Sequence, residues 1–280
     1  MRIVKHNVEP DARQFVIAPI GDIQWSGLPG QVAERHLTAH MKRCHELGAH
    51  YVGLGDYIDF MSPSNRLRLA QADLYDNATE VIRAKARQLT EEVHDKYLKQ
   101  TASRWLGMVS GHHYTPLSGD ETTDTLLAGW LHAPFTESVM YIRLQFSAAG
   151  GRSGQVDILA LHGNGSAKAL LTKLRKMSSH FPHVDLLLAG HCTARAVDSW
   201  AGIYPVERGD TLMLRDKPVW AVLGGGWSRA YQETETGYVE KAFLPPVTLG
   251  APLITVVPEW TRQRFGEFYR FVFILRLDKH

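Results

Sequence analysis

The chain has 280 residues, of which 44% are hydrophobic and 21% charged, and its formal net charge is +2 with the 14 histidines neutral. That length and apolar content suffice for one large domain, or two small ones, with an ordinary buried core. The near-balanced charge argues against a protein whose main business is coating nucleic acid, while leaving room for a local basic patch. Two cysteines, Cys44 and Cys192, are too few for a disulfide framework. No apolar run approaches membrane-spanning length and the first residues lack a leader-like apolar stretch, so a soluble, cytoplasmic setting with no membrane partner is expected.

Residues 1–14 are polar and expected to be a loosely held lead-in to a single domain over residues 15–280. Phe15 to Ile20 reads as a buried strand running into Gly21-Asp22-Ile23-Gln24. After the turn Ser26–Gly30, a helix is expected from about Gln31 to Leu47. Ala33, Leu37, Met41, Cys44 and Leu47 form its apolar stripe and Gly48 its stop. Tyr51 to Leu54 is the next strand, turned at Gly55 into Asp56-Tyr57-Ile58-Asp59, which completes a βαβ opening. Beyond it, Arg66 and Arg68 are candidate phosphate contacts. A long helix over about Asn77–Gln100 follows, with Ile82, Ala86, Leu89, Val93 and Tyr97 inward and mixed charges on a solvated face.

Trp105 to Val109 is a strand ending at Ser110-Gly111-His112-His113. Ser118 and Glu121 have capping-box spacing for a helix through about Leu131. Ser138 to Phe146 and Val156 to Leu161 read as strands, the second stopping at His162-Gly163-Asn164. A helix is expected over about Ser166–Phe181, then a strand, Val184 to Ala189, stopping at Gly190-His191-Cys192-Thr193. Past Gly190 helical periodicity fades. Arg195–Trp200, Thr211–Leu214, Val219–Leu223, Leu253–Val257 and Phe268–Leu277 all read as strands, the last of them either an exposed edge or a buried centre.

Five strands thus end in Asp, Asp, His-His, His and His. Open α/β sheets present ligands at the carboxyl ends of their strands, and imidazole with carboxylate suits Zn, Mn, Fe, Co or Ni. The order of these motifs resembles the calcineurin-like metallophosphoesterase superfamily, whose pattern is Asp-x-His, Gly-Asp-x-x-Asp, Gly-Asn-His-Asp/Glu, a lone His and Gly-His-x-His. Gly55-Asp56-Tyr57-Ile58-Asp59 matches in full and the others in part. The resemblance implies an α/β fold, a four-layer αββα sandwich of two mixed β-sheets packed face to face with helices outside.

It also implies two adjacent metal positions. Carried over by motif, one would be held by Asp56, His112, His162 and His191, where His112 replaces the family's Asn. The other would be held by Asp22, Gln24, Asp56 and Thr193, where an amide and a hydroxyl replace two imidazoles. One or two divalent ions (Mn, Zn, Fe, Ni or Mg) are expected, the second more weakly bound. Gln24 is a ligand or a supporting residue, and Thr193 is read as structural. His113 matches the family's catalytic His and would protonate the leaving oxygen. The acidic residue that follows this His in the family is Tyr114 here, so the partner raising its pKa must come from elsewhere. Asp59 is read as a loop support.

Weaker candidates are a Cys192 thiolate ligand, a phosphate cradle at Gly163–Ser166, where a plain turn with an N-cap is the simpler reading, and a stacking surface from Trp25, Tyr57, Tyr114 and Trp227. The expected function is hydrolysis of a phosphodiester or phosphomonoester by metal-activated water, with a nucleotide or nucleic acid among the candidate substrates. The alternatives are a DNA nuclease like the repair nucleases of this fold, with a basic groove beside the metals, and a catalytically impaired metal-binding scaffold.

Overall fold

A computed structural model describes residues 1–10, 12–60, 76–148, 151–208, 211–230, 248–263 and 266–277; Arg66 and Arg68 lie outside them. Twelve strands are present among these residues. In chain order they are β1 (Arg2–Asn7), β2 (Phe15–Ile20), β3 (His50–Gly53), β4 (Trp105–Val109), β5 (Phe135–Thr136), β6 (Val139–Ala148), β7 (Arg152–Leu161), β8 (Leu186–Ala189), β9 (Arg195–Arg208), β10 (Thr211–Gly224), β11 (Pro252–Gln263) and β12 (Gly266–Leu277). The α-helices are α1 (Glu34–Glu46), α2 (Asp76–Val93), α3 (Thr123–Trp130) and α4 (Ala167–Ser178).

The strands form two six-stranded sheets, ordered β12-β11-β2-β3-β4-β5 and β1-β6-β7-β8-β10-β9. Both are mixed. β2, β3, β4 and β5 run parallel, β11 is antiparallel to β2, and in the other sheet β7, β8 and β10 run parallel while the parallel pair β1 and β6 opposes β7, and β9 opposes β10. Three apolar clusters explain why the layers stack. Ile17, Val52, Leu54 and Leu106 of the first sheet meet Ile142, Ile158, Leu186 and Val222 of the second. Leu37, Met41 and Cys44 of α1, Leu89 and Val93 of α2 and Leu127 of α3 cover the outer face of the first sheet over Ala18, Tyr51 and Trp105. Leu170 and Leu174 of α4 cover the second over Leu159, Leu187 and Ala221. Alternate residues of these buried strands serve different clusters, as the two-residue period of a strand requires. The architecture is the expected four-layer αββα sandwich.

Several local expectations need correction. Residues 1–14 are not merely a lead-in, because β1 pairs in parallel with β6 from Arg2↔Met140 to Asn7↔Gln145. Only Val4 and His6 turn inward along this edge strand, and His6 Nε2 lies 2.8 Å from the Leu106 carbonyl, so its polar composition hid an ordinary half-buried alternation. The long helix does not run to Gln100 as one α-helix: it passes into a π-helical turn, His94–Leu98, and a 3-10 turn, Lys99–Thr101. The capping box of α3 is formed by Thr122 and Thr125 rather than Ser118 and Glu121, which instead belong to the preceding turn. The Phe268–Leu277 run is an edge, β12, with β11 as its neighbour in the sheet.

Candidate metal centre

The parallel pairing of β2 and β3 continues past the strands themselves. Asp22 N–H donates to the Gly55 carbonyl at 2.9 Å, Gln24 N–H to Asp56 at 3.0 Å and Trp25 N–H to Tyr57 at 3.1 Å. Asp22 and Asp56 are thereby fixed side by side at the carboxyl ends of the strands. The backbone there is strained. Asp22 (φ 49°), Gln24 (φ 52°), Asp56 (φ 56°) and His191 (φ 67°) are four of the six non-glycine residues in the left-handed region among those described. Such strain persists only where the surroundings enforce it, and it concentrates at functional sites. Gly55, at φ 90°, passes so close to the next strand end that an added Cβ would lie 2.5 Å from Gly111 Cα. Gly111 in turn leaves room for the Asp56 carboxylate, which a Cβ there would overlap.

Asp56 organises the centre. Its Oδ1 accepts from the His112 and His113 N–H groups at 2.6 and 2.9 Å, while its Oδ2 lies 3.2 Å from His162 Nε2. Burial opposes its charge, but the His162 contact and the charges of His162 and His113 hold its carboxyl well below the usual carboxylate range. Asp22 is the opposite case. Burial, reinforced by the Asp56 charge, pushes it up to about 8, and neither of its buried carboxylate oxygens has a side-chain hydrogen-bond partner.

His162 is also buried, and its Nδ1 donates to the Leu54 carbonyl at 2.6 Å. That bond fixes the tautomer and turns Nε2 toward Asp56. Burial lowers the affinity of this ring for a proton, yet Asp56 and Asp22 outweigh it and raise the pKa to about 9. His112 and His191 complete a triangle of near-perpendicular rings with His162, and their Nδ1 atoms are 3.2 Å apart. Burial and the neighbouring His162 and His112 push His191 down to about 4.

These residues fit a divalent cation. Two groups each bring three ligand atoms within 4.8 Å of one another: His112, His162 and His191, and Asp22, Asp56 and His162. Both close contacts, His162 to Asp56 and His112 to His191, are 3.2 Å. Two tetrahedral ligands each about 2.0–2.1 Å from zinc are separated by roughly 3.4 Å. The orphaned oxygens of Asp22 and the lone pair of His162 Nε2 are the buried groups that a cation would satisfy.

The other expected participants fall into place unevenly. Gln24 Oε1 accepts from Ser228 Oγ at 2.5 Å, which anchors its amide from the far side. Thr193 packs its methyl against Gly226, where an added Cβ would be 2.7 Å away. Cys192 belongs to the apolar edge of the α4 cluster, burial together with Asp22 pushes its thiol up to about 11, and it falls in neither group of converging ligand atoms among the described residues. Ser166 caps α4 and Lys173 ties down the Asn164 side chain and carbonyl, so the Gly163–Ser166 turn serves the helix start. Trp25, Tyr57 and Trp227 are buried in the core and offer no stacking surface; Tyr114 is half-buried.

Two residues carry more than the sequence suggested. Asp59 reaches back to His113, Oδ1 to Nδ1 2.9 Å, and supplies the acidic partner that Tyr114 cannot. Burial opposes it, but the Asp59 hydrogen bond and the charges of Asp56, Asp59 and Asp22 raise the His113 pKa above its ordinary value. Asp124, at the start of α3, is buried beneath the His112–His113 turn and accepts from Gly111 N–H and Ser110 Oγ, each at 3.0 Å. Nothing in its spacing marked it, because its role depends on β4 and α3 meeting in space.

The two stacked sheets with helices outside and this rim of Asp and His at the strand ends are the arrangement that the motif order leads one to expect. Solved structures similar to the chain include a single mutant of Vps29 from Entamoeba histolytica, with 14% identity, a TM-score of 0.39, and a match spanning 93% of this chain and 99% of that one. A predicted phosphoesterase of Streptococcus pneumoniae is similar at 10% identity and TM-score 0.35, spanning 94% and 98%. A putative 5'-nucleotidase of Staphylococcus aureus is similar at 11% identity and TM-score 0.38, spanning 95% of this chain and 55% of that one. At such identities the likeness is one of fold. No protein-family profile matches the chain, and no curated protein matches it. No helix among the described residues is long and apolar enough to cross a membrane.

Proposed function

We propose that the chain is a metal-dependent phosphoesterase that hydrolyses a phosphodiester or phosphomonoester with water activated at this rim. The observation that carries the reading is the pairing of Asp22, whose buried carboxylate oxygens have no side-chain partner, with three converging imidazoles and a separate His113–Asp59 pair. When bound, divalent ions lower the pKa of water and neutralise phosphoryl oxygens. Asp56, His112, His162 and His191 would hold one ion. Asp22 and Asp56 would hold a second, with Gln24 positioned by Ser228 beside them.

The chain's own acid–base chemistry falls to His113. Its Nδ1 is engaged by Asp59, and its Nε2 lies 3.7 Å from Asp56 Oδ2. The raised pKa favours the protonated imidazole, the state required to give a proton to a departing ester oxygen. Asp124 acts indirectly by fixing the turn that carries His112 and His113.

A scaffold reading is favoured by one observation, the loss of both imidazoles from the Asp22 position, where Thr193 presents a methyl to Gly226. One experiment separates the two. Metal content per chain is measured on protein purified without chelator, and the same sample is assayed on bis-(p-nitrophenyl) phosphate and p-nitrophenyl phosphate with added Mn²⁺. Turnover that falls by about 10²-fold or more in His113→Ala at unchanged metal content supports the hydrolase. Bound metal with no turnover under any divalent ion establishes the scaffold instead.

A further inference from the structure

A second feature lies outside the metal centre, on the far face of the second sheet. Between residues 163 and 183 the chain carries Lys168, Lys173, Arg175 and Lys176 and no carboxylate, although the whole molecule is nearly charge-balanced. Lys168, Thr172 and Arg175 are spaced i, i+4, i+7 and share one face of α4. With Leu171 and with Asp198 of β9 they line an open cleft of about 420 Å³. Arg175 lies over the Trp200 ring at 5.4 Å, and the Trp200 indole N–H is held by Ser178 Oγ at 3.1 Å. Lys168 and Arg175 have no carboxylate partner among the described residues. Asp198 accepts from its own neighbour, the Ser199 N–H, at 2.8 Å.

Both walls of the cleft grow out of metal-binding turns. α4 begins five residues after His162, and β9 begins four residues after His191. A polyanion lying in the cleft is therefore led along the helix toward the rim. From Lys168 to Arg175 the helix rises about 10 Å, enough for the two cations to meet neighbouring phosphates of one extended strand. Leu171 gives the cleft a small apolar wall for an unstacked base, and Asp198 is an acceptor suited to a base's amino group. An acidic peptide would bring carboxylates against Asp198 and would make no use of the apolar wall.

We infer that the α4–β9 cleft binds single-stranded nucleic acid, with its phosphodiester backbone on Lys168 and Arg175 and its path directed to the metal centre. This rests on the phosphoesterase reading for the strand's destination, but not for its binding. The test uses the full chain and a fluorescein-labelled oligothymidylate of about 12 nucleotides, with binding read by anisotropy in chelator, where no turnover intervenes. The Lys168→Gln/Arg175→Gln double variant is expected to bind at least about tenfold more weakly, with a salt slope shallower by about 1.4, or roughly 0.7 per lost phosphate contact. Its hydrolysis of bis-(p-nitrophenyl) phosphate should equal that of the parent. Unchanged affinity and slope in the double variant, no binding by the parent at low salt, or displacement by polyglutamate as effective as by unlabelled oligonucleotide would each overturn the inference. Failure of the phosphoesterase reading shows separately, as absence of small-ester turnover in the parent with oligonucleotide binding intact.

Discussion

Removing the metal should make stability depend on pH in a way that the buried ligands dictate. Asp22 is raised from 3.8 to about 8 and His162 from 6.5 to about 9. In each case the folded state keeps a proton that the unfolded chain has already released, so stability is lost as pH rises through the window between the two values. His191, lowered from 6.5 to about 4, works in the opposite sense, and its contribution is complete above its ordinary value. Asp124, raised to about 6, has also finished by then. From pH 6.5 to pH 8 two protons are therefore retained by the folded protein alone. At about 1.4 kcal/mol per proton per pH unit, stability should fall by roughly 3–4 kcal/mol over that interval. Asp22→Asn removes one of the two and should leave a fall of about 2 kcal/mol or less, because His162 also loses a charge that raises it. Added divalent ion should abolish the fall in the parent, since it takes the place of the protons and binds only the folded state. The assay is urea denaturation followed by tryptophan fluorescence on chelator-treated protein at pH 6.5, 7, 7.5 and 8. A metal-free parent whose stability is flat or rising over that range, or an Asp22→Asn variant with the parent's full fall, would refute the reasoning.

Four other outcomes follow from the same geometry. His113→Ala should lower kcat by about 10²–10⁴-fold, the range of general acid catalysis, with metal content unchanged by elemental analysis. Asp59→Asn, which removes the largest influence raising the His113 pKa, should move the alkaline limb of the pH–rate profile to lower pH; a limb that stays in place or moves upward contradicts the pairing. Gly55→Ala adds a Cβ 2.5 Å from the Gly111 backbone at φ 90°. It should cost at least about 2 kcal/mol, the left-handed penalty plus the overlap, and weaken metal retention in equilibrium dialysis. Gln24→His supplies an imidazole where the Ser228-anchored amide now stands, and should raise the metal-to-chain ratio over the parent in limiting zinc.

The strand ends were legible because each motif carries its own local cause. A short apolar run, a glycine and then Asp or His is the pattern of a strand stopping where the backbone must turn sharply. Three of the four strained site residues, Asp22, Asp56 and His191, directly follow such a glycine. What could not be read is what depends on distant parts of the chain meeting. Asp59 and His113 are 54 residues apart, and their contact follows from the Asp59 N–H docking on the Trp25 carbonyl. β1 has only Ile3 and Val4 as apolar residues, and its place is set by β6, more than 130 residues later. Trp25, Tyr57 and Trp227 gave the wrong impression near the motifs because aromatic residues beside a rim look available until the layers above them are placed.

The two ligand groups differ in kind, and the difference bears on which ions this chain would hold. His112, His162 and His191 converge from three strand ends, all through nitrogen, and one of them is already oriented by the Leu54 carbonyl. Nitrogen ligands of this sort favour borderline ions such as zinc. The other group keeps two carboxylates, shares His162, and has in Gln24 an amide whose oxygen is engaged by Ser228. Its remaining strength is charge, which favours harder, oxygen-seeking ions such as Mn²⁺ or Mg²⁺. At this second position the oxygens of Asp22 have no side-chain hydrogen-bond partner. A position abandoned by its metal would be expected to replace a buried carboxylate that costs stability at neutral pH. Asp22 remains, and the demand for a cation remains with it.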